Sequence, residues 1–470
     1  MDTLAYTPAW RLADMVRHHE VSPVELTTYL LLRIERLNPL LNAYLTVAHE
    51  QAMSTAREAE SALARGGPLP PLHGVPVSVK DLIRTSGIRT TAGSLTYRDF
   101  VPHEDATVVE RLRRAGAVIL GKTNTPEFGL AATTENRLGD PCLNPWNRER
   151  TAGGSSGGAA AAVSAGLGTI ALGSDGGGSI RIPASFCGVF GFKPSQGLVS
   201  HHGGEGGMEL FATIGPLTLT VRDAALCLQV ISGHDPSDPT TLRQPAPDFV
   251  NQMEGNLAGL RVAWSPDLGY GRVDAEVRAL AESAARVFET MGCHLEEATP
   301  ATGTPLSVHN LITMADECAA HESLVAEHSD LVTPHVKAVI GHGRRVTGAD
   351  YSRALRARER IKSQMAGFFE GYDLLLTPTT AVTAFPLGQR PRAIDGGEVD
   401  RLWGPFYMAP VFNITGQPAA SLPCGFSAEG LPVGLQVVSR WGNDAAVLRA
   451  CAAFEKARPW AGKVPTLEGR

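Results

Sequence analysis

Apolar positions along the first quarter of the chain recur first at a helical period and then at a strand period. Leu26, Leu30, Ile34 and Leu37 follow Ser22-Pro23-Val24-Glu25, a capping box with proline at the first helical position, and predict a helix ending near Asn38-Pro39. A second helix is predicted over 49–65, before the turn signal Gly66-Gly67-Pro68. Val75, Val77 and Val79 then alternate with Pro76, Ser78 and Lys80, the pattern of a strand whose other face is polar. Lys80 is there either an exposed edge-strand lysine or a lysine aimed at something polar. An amphipathic helix over 105–115, with Val108, Val109 and Leu112 inside, precedes a strand at 118–120.

The same alternation returns further along. A small-residue helix is predicted over 159–167, a strand over 169–172 and a helix over 222–232. A strand at 260–264 leads into helical spacing through Val277, Leu280, Ala284, Val287, Phe288 and Met291. Residues 303–370 read as charged, peripheral helices, 374–376, 419–423 and 435–438 as core strands, and 444–457 as a last helix. Between these, 128–139 is irregular and suits a surface loop or a pocket wall. The glycines at 203, 204, 206 and 207 suit a mobile loop, Gly215-Pro216 a turn, and 234–258 a surface excursion. No repeat or long linker divides the chain, so it is expected to be one α/β domain over 1–470. Its N-terminal part (about 1–65) is helical, and a helical part over about 303–410 lies at the periphery.

Composition narrows the function. With 43% hydrophobic and 19% charged residues the chain matches an ordinary soluble enzyme, and a net charge of -6 disfavours a nucleic-acid partner. Seven cysteines without a C-x-x-C pair predict reduced, mostly buried thiols, which fits a cytoplasmic location. The opening residues lack the apolar run of a signal peptide, and no stretch approaches the roughly 18 apolar residues of a membrane span. The 14 histidines show no metal-ligand spacing, so no metal is expected.

Two familiar motifs fail on context. Residues 116–123, GAVILGKT, match a phosphate loop, but Ala-Val-Ile-Leu is itself the predicted strand and Pro126 follows where a helix should open. Gly153-Gly154-Ser155-Ser156-Gly157 matches the nucleophile elbow G-x-S-x-G, yet polar residues 148–151 precede it where an apolar strand should feed the turn. What remains is a pair of glycine-flanked serine clusters, around Ser155 and Ser179, on either side of an apolar segment. Glycines there suggest backbone N–H groups turned toward a ligand.

VPVSVKD around Lys80, AGGSSGG around Ser155 and GSDGGGSIRIPASFCGVFGFKPSQG around Ser179 occur in the order of the amidase signature family, which the chain resembles over nearly its whole length. LNPWN, GPLTLTVRDAA, FNITGQPAASLPCG and LPVGLQVV strengthen the likeness. The resemblance implies a central mixed β-sheet covered by helices on both faces. It implies a cofactor-free hydrolase of carboxamides, or of related aryl amides, esters or carbamates, in which Ser179 is acylated, Ser155 relays the proton and Lys80 is the base. A lysine does this only when neutral, which requires burial. The resemblance further implies a cis peptide bond before Ser155. Gly176, Gly177 and Gly178 are expected to form the oxyanion hole, reinforced by a helix starting at Ser179, although Gly176 stands where a threonine is expected. Gly129, Thr133 and Ser156 are expected to meet the substrate, with Ser156 alternatively capping the next helix. Asp175 and Arg181 are expected to hold the loop. The aromatics Trp403, Phe406 and Tyr407 are expected either to accept an apolar group or to pack the core. The partner is a small-molecule substrate, with no direct nucleic acid and no membrane, and the chain is expected to be a monomer or homodimer. A second reading is the catalytic subunit of a glutamyl-tRNA amidotransferase.

Overall fold

Eleven strands form one mixed sheet through the middle of the molecule. They are β1 (Tyr44–Val47), β2 (Pro76–Lys80), β3 (Val118–Thr123), β4 (Ile170–Asp175), β5 (Phe190–Lys193), β6 (Thr213–Thr218), β7 (Arg261–Trp264), β8 (His294–Glu297), β9 (Leu374–Pro378), β10 (Ala419–Phe426) and β11 (Pro432–Val438). The structure, a computed structural model, describes residues 4–467 apart from 209 and 246. Across the sheet the order is β1-β3-β2-β4-β6-β5-β10-β11-β9-β7-β8. β2 runs parallel to β3 and β4, and β7 parallel to β8 and β9, while the other pairings are antiparallel.

Helices cover both faces because successive strand residues point to opposite sides. Ile170 and Leu172 join one apolar cluster with Val77, Val79, Val109 and Leu112. Ala171 joins the other, with Leu26, Leu30, Ile34, Leu37 and the buried helix Gly157–Ser164. β2 is paired on both sides and wholly buried, so its alternation separates two buried faces rather than a wet face from a dry one. Ser78 lies in register with Ala171, which puts Ser78 and Lys80 on the face that carries Gly157–Ser164.

Several elements follow the sequence closely. Ser22 Oγ accepts from Glu25 N and the Glu25 carboxylate accepts from Ser22 N, both at 3.0 Å, opening the helix Pro23–Leu41. His49–Arg65 and Asp444–Ala457 are helices, and Leu306–Glu327, Pro334–Gly343 and Gly348–Gly371 make up the peripheral helical part. The phosphate-loop match lies in β3, where Lys122 is buried and donates to Ile83 O, Thr85 Oγ1 and Thr90 Oγ1. All seven cysteines are buried and unpaired, and no described helix is long and apolar enough to cross a membrane.

Others differ. The first capped helix runs past Pro39 to Leu41 and stops on Asn42 in the left-handed region, φ 51°. The helical spacing over 277–291 is split into Ala275–Ala285 and Val287–Thr290. Gly215-Pro216 is not a turn but the middle of β6: Pro216 pairs with Leu172, and the ladder to β5 ends at Leu217, beside the missing N–H. Residues 234–258 are the expected surface excursion, mostly exposed, but it is pinned to the body of the protein at a few points. Asp235 accepts from Thr107 Oγ1 and Ser200 Oγ at 2.6 Å each, and Phe249 is fully buried.

Candidate active site

The end of β2 carries Lys80 into the interior, 0% exposed. Its Nζ lies 2.6 Å from Ser155 Oγ and 3.0 Å from Ser174 Oγ. Burial pulls the amine down from the ordinary lysine range to about 7, with Asp175 pulling the other way. Ser155 follows a cis bond from Gly154, where a side chain would run into the backbone of Thr133. Ser156, expected to meet the substrate, lines neither of the two cavities beside Ser179. It is fully buried, its hydroxyl donates to Ser174 O at 3.1 Å and accepts from Ser174 N at 3.3 Å, and its own N–H donates to Ser179 O. It stands at the N-cap of the helix that follows, but its side chain makes no capping hydrogen bond there. Its contacts tie the Ser155 loop to Ser174 and Ser179.

Ser179 is half-buried and lines two adjoining cavities. The smaller, about 20 Å³, also touches Ser155, Ser174, Gly129 and Gly176. No hydrogen bond joins Ser155 to Ser179; the two hydroxyls share this cavity. The larger, about 80 Å³, is walled by Gly129, Leu130, Ala131 and Ala132 on one side and by His309, Met314, Val339, Leu402 and Trp403 on the other. No Asp, Glu, Lys or Arg lines it. Gly129 therefore touches both cavities, whereas Thr133 touches neither and packs its backbone on Gly154. Of the three expected aromatics, Trp403 reaches the cavity. Phe406 packs with Phe186 and Phe385 in the core, and Tyr407 beside Tyr270.

Asp175, at the end of β4, organises the glycine loop. Burial alone would raise its pKa, but Arg181 overrides this with bonds of 2.9 and 3.0 Å, aided by Asn413, and holds the carboxylate well below the usual range. Both side chains are 0% exposed. The same carboxylate accepts from Gly178 N at 2.7 Å and Ile180 N at 3.1 Å. This corrects two expectations. Gly178 N–H is already committed and is not available to an oxyanion. The short helix begins at Arg181 rather than Ser179, with its first N–H groups turned toward Asp175. The N–H groups of Gly176 and Gly177 have no partner among the described residues, and the peptide between them borders both cavities. Gly176 needs no threonine: a side chain there would meet Met208 Sδ and Cε at 3.0 Å, so the methionine fills that place.

Ser174, Met208 and His309 were not singled out from the sequence. Ser174 had a signal, standing inside the GSDGGGS segment next to Asp175. Met208 and His309 had none, because they arrive from distant parts of the chain.

A profile of the amidase family matches residues 25–448. The chain is 40% identical to an acylamidase of Rhodococcus erythropolis, covering 98% of each chain. It is also 40% identical to a glutamyl-tRNA(Gln) amidotransferase subunit of Moorella thermoacetica, covering 99% of each. Among solved structures it superposes on a bacterial aryl acylamidase of the amidase signature enzymes with a TM-score of 0.91, at 31% identity and with 97% of each chain covered. The sheet, the order of the glycine and serine segments and these matches lead to one assignment: the chain belongs to the amidase signature family.

Proposed function

We propose that the chain is an amidase that cleaves the C–N bond of a carboxamide with an apolar acyl group, and by the same chemistry related aryl amides, esters or carbamates, through an acyl-enzyme on Ser179. The observation that carries this reading is the fully buried Lys80 amine, 2.6 Å from Ser155 Oγ, with its pKa down to about 7. A neutral amine takes the Ser155 proton while Ser155 takes that of Ser179, and Ser179 Oγ bonds to the substrate carbonyl carbon. Contacts of this kind tighten when substrate binds, and the two hydroxyls already share one cavity. The oxyanion then meets the N–H groups of Gly176 and Gly177. The proton returns through Ser155 to the leaving nitrogen, the C–N bond breaks, and water attacking the ester carbonyl releases the acid and restores Ser179. Ser174 holds Lys80 in place.

The amidotransferase reading has the same sequence identity in its favour. The larger cavity weighs against it, because glutamine brings an ammonium and a carboxylate and no charged side chain lines that wall. The test is a panel of anilides and amides differing in acyl chain, with glutamine included. Each added methylene should raise kcat/KM about fourfold until the cavity is full, from about 0.8 kcal/mol per buried methylene. Glutamine turned over as fast as the best anilide would refute it.

A further inference from the structure

Gly176 and Gly177 share one trans peptide plane, so the carbonyl of the first and the N–H of the second point in opposite directions. The carbonyl is held from one side. His309, on the helix Leu306–Glu327 and 2% exposed, places Nε2 at 2.8 Å from Gly176 O. A carbonyl oxygen only accepts, so Nε2 carries the hydrogen and Nδ1 is bare. Nδ1 has no hydrogen-bond partner among the described residues, and burial outweighs the Gly176 carbonyl and Asn310 to bring the imidazole down to about 4, which keeps it neutral at neutral pH.

The ring is clamped in this pose. It stacks on Phe211 with centroids 5.0 Å apart and planes 15° apart, and meets Trp403 edge-on at 5.1 Å and 82°. Trp403 is fixed in turn by its Nε1–H, which donates to Asn310 Oδ1 at 2.7 Å. A Cβ on Gly177 would lie 2.7 Å from Trp403 and 3.2 Å from His309 Nε2, so the aromatic wall rests directly on the peptide.

We infer that His309 is a positioning residue of the oxyanion hole: by donating to the Gly176 carbonyl it orients and polarises the peptide whose other end presents the Gly177 N–H to the reacting carbonyl. Hydrogen bonds in series strengthen one another, and without the imidazole this buried carbonyl has no other donor among the described residues. The inference rests on the Ser179 acyl-enzyme reading. It goes beyond that reading by giving a side chain from the peripheral helices control over the charge-stabilising peptide.

The experiment compares His309→Phe, which keeps the stacked ring and removes the donor, with His309→Gln, whose amide N–H reaches about as far as Nε2. For an anilide substrate, H309F should lower kcat about tenfold to a hundredfold with KM within about threefold, less than the full loss of a donor, and H309Q should recover most of kcat. A purely structural role would move thermal stability alike in both and would not separate kcat from KM. Should H309F not fold, H309N, too short to reach the carbonyl, replaces it in the comparison. A donor-less variant with kcat within twofold of the parent overturns the inference, as does H309Q no faster than that variant. Labelling of Ser179 by a fluorophosphonate, run in parallel, separates the two claims. Turnover that survives Ser179→Ala removes the acyl-enzyme reading, whereas normal labelling with unchanged kcat in H309F removes only the role of His309.

Discussion

The Lys80 amine and the Ser155 hydroxyl meet at 2.6 Å where no part of the lysine reaches solvent. A protonated amine is useless there as a base, so activity must follow the neutral form. Because Lys80 titrates at about 7, kcat/KM should climb tenfold per pH unit below 7 and level off above it. The profile should be taken with an uncharged anilide. A rise continuing toward pH 10 would mean that the lysine is ordinary.

The same burial has a cost in stability, whose sign follows from proton linkage. Between the folded value of about 7 and the ordinary 10.5 the unfolded chain binds more protons, so stability rises with pH across that window. Above it the penalty for the protonated form is absent, and below about 7 it is complete. Lys80→Met, similar in shape and uncharged, should therefore melt higher than the parent at pH 7 while losing at least about a thousandfold in kcat, the upper part of the range for general base and nucleophile activation. Calorimetry on both proteins checks this; a lower melting point in the variant would contradict it.

Ser174→Ala removes the second hydroxyl on Lys80, at 3.0 Å, and leaves Ser155 in place. A hydrogen bond of this kind contributes about 1 kcal/mol, so kcat/KM should fall about fivefold to tenfold. Circular dichroism should remain unchanged, because the backbone of Ser174 keeps its bonds to Ser156.

Asp175→Asn should be the most damaging change to the fold near the site. It leaves the Arg181 guanidinium, 0% exposed, without its countercharge and weakens the hold on Gly178 N. The expected loss is about 3–5 kcal/mol, read from urea unfolding at pH 7. Since Asp175 is held below its ordinary value of 3.8, its contribution is present above that pH and declines as the pH falls below it, so the gap between variant and parent should narrow in acid.

How far the sequence could be read depended on how local the determinants are. The capping box at Ser22, the helix His49–Arg65 and the triad candidates sit in contiguous segments, where spacing alone carries the information. β6 was hidden because Gly215-Pro216 is a turn signal anywhere except beside a ladder that ends there. Thr133 and Ser156 were expected at the substrate beside Ala132 and Ser155, but adjacent residues can face different sides of a wall. Leu130 to Ala132 line the larger cavity while Thr133 backs Gly154. Gly178 was lost to the oxyanion hole through a carboxylate three residues earlier, and His309 entered from a helix 133 positions away. Neither relationship leaves a mark on local composition.

The most direct measurement of the central claim is peptide mass mapping after reaction with a fluorophosphonate at pH 8. The account predicts a single phosphonyl group on Ser179, formed at least about a hundredfold more slowly when Lys80 is Met or Ser155 is Ala. An adduct on any other residue, or labelling of Ser179 at the parent rate in both variants, would contradict it.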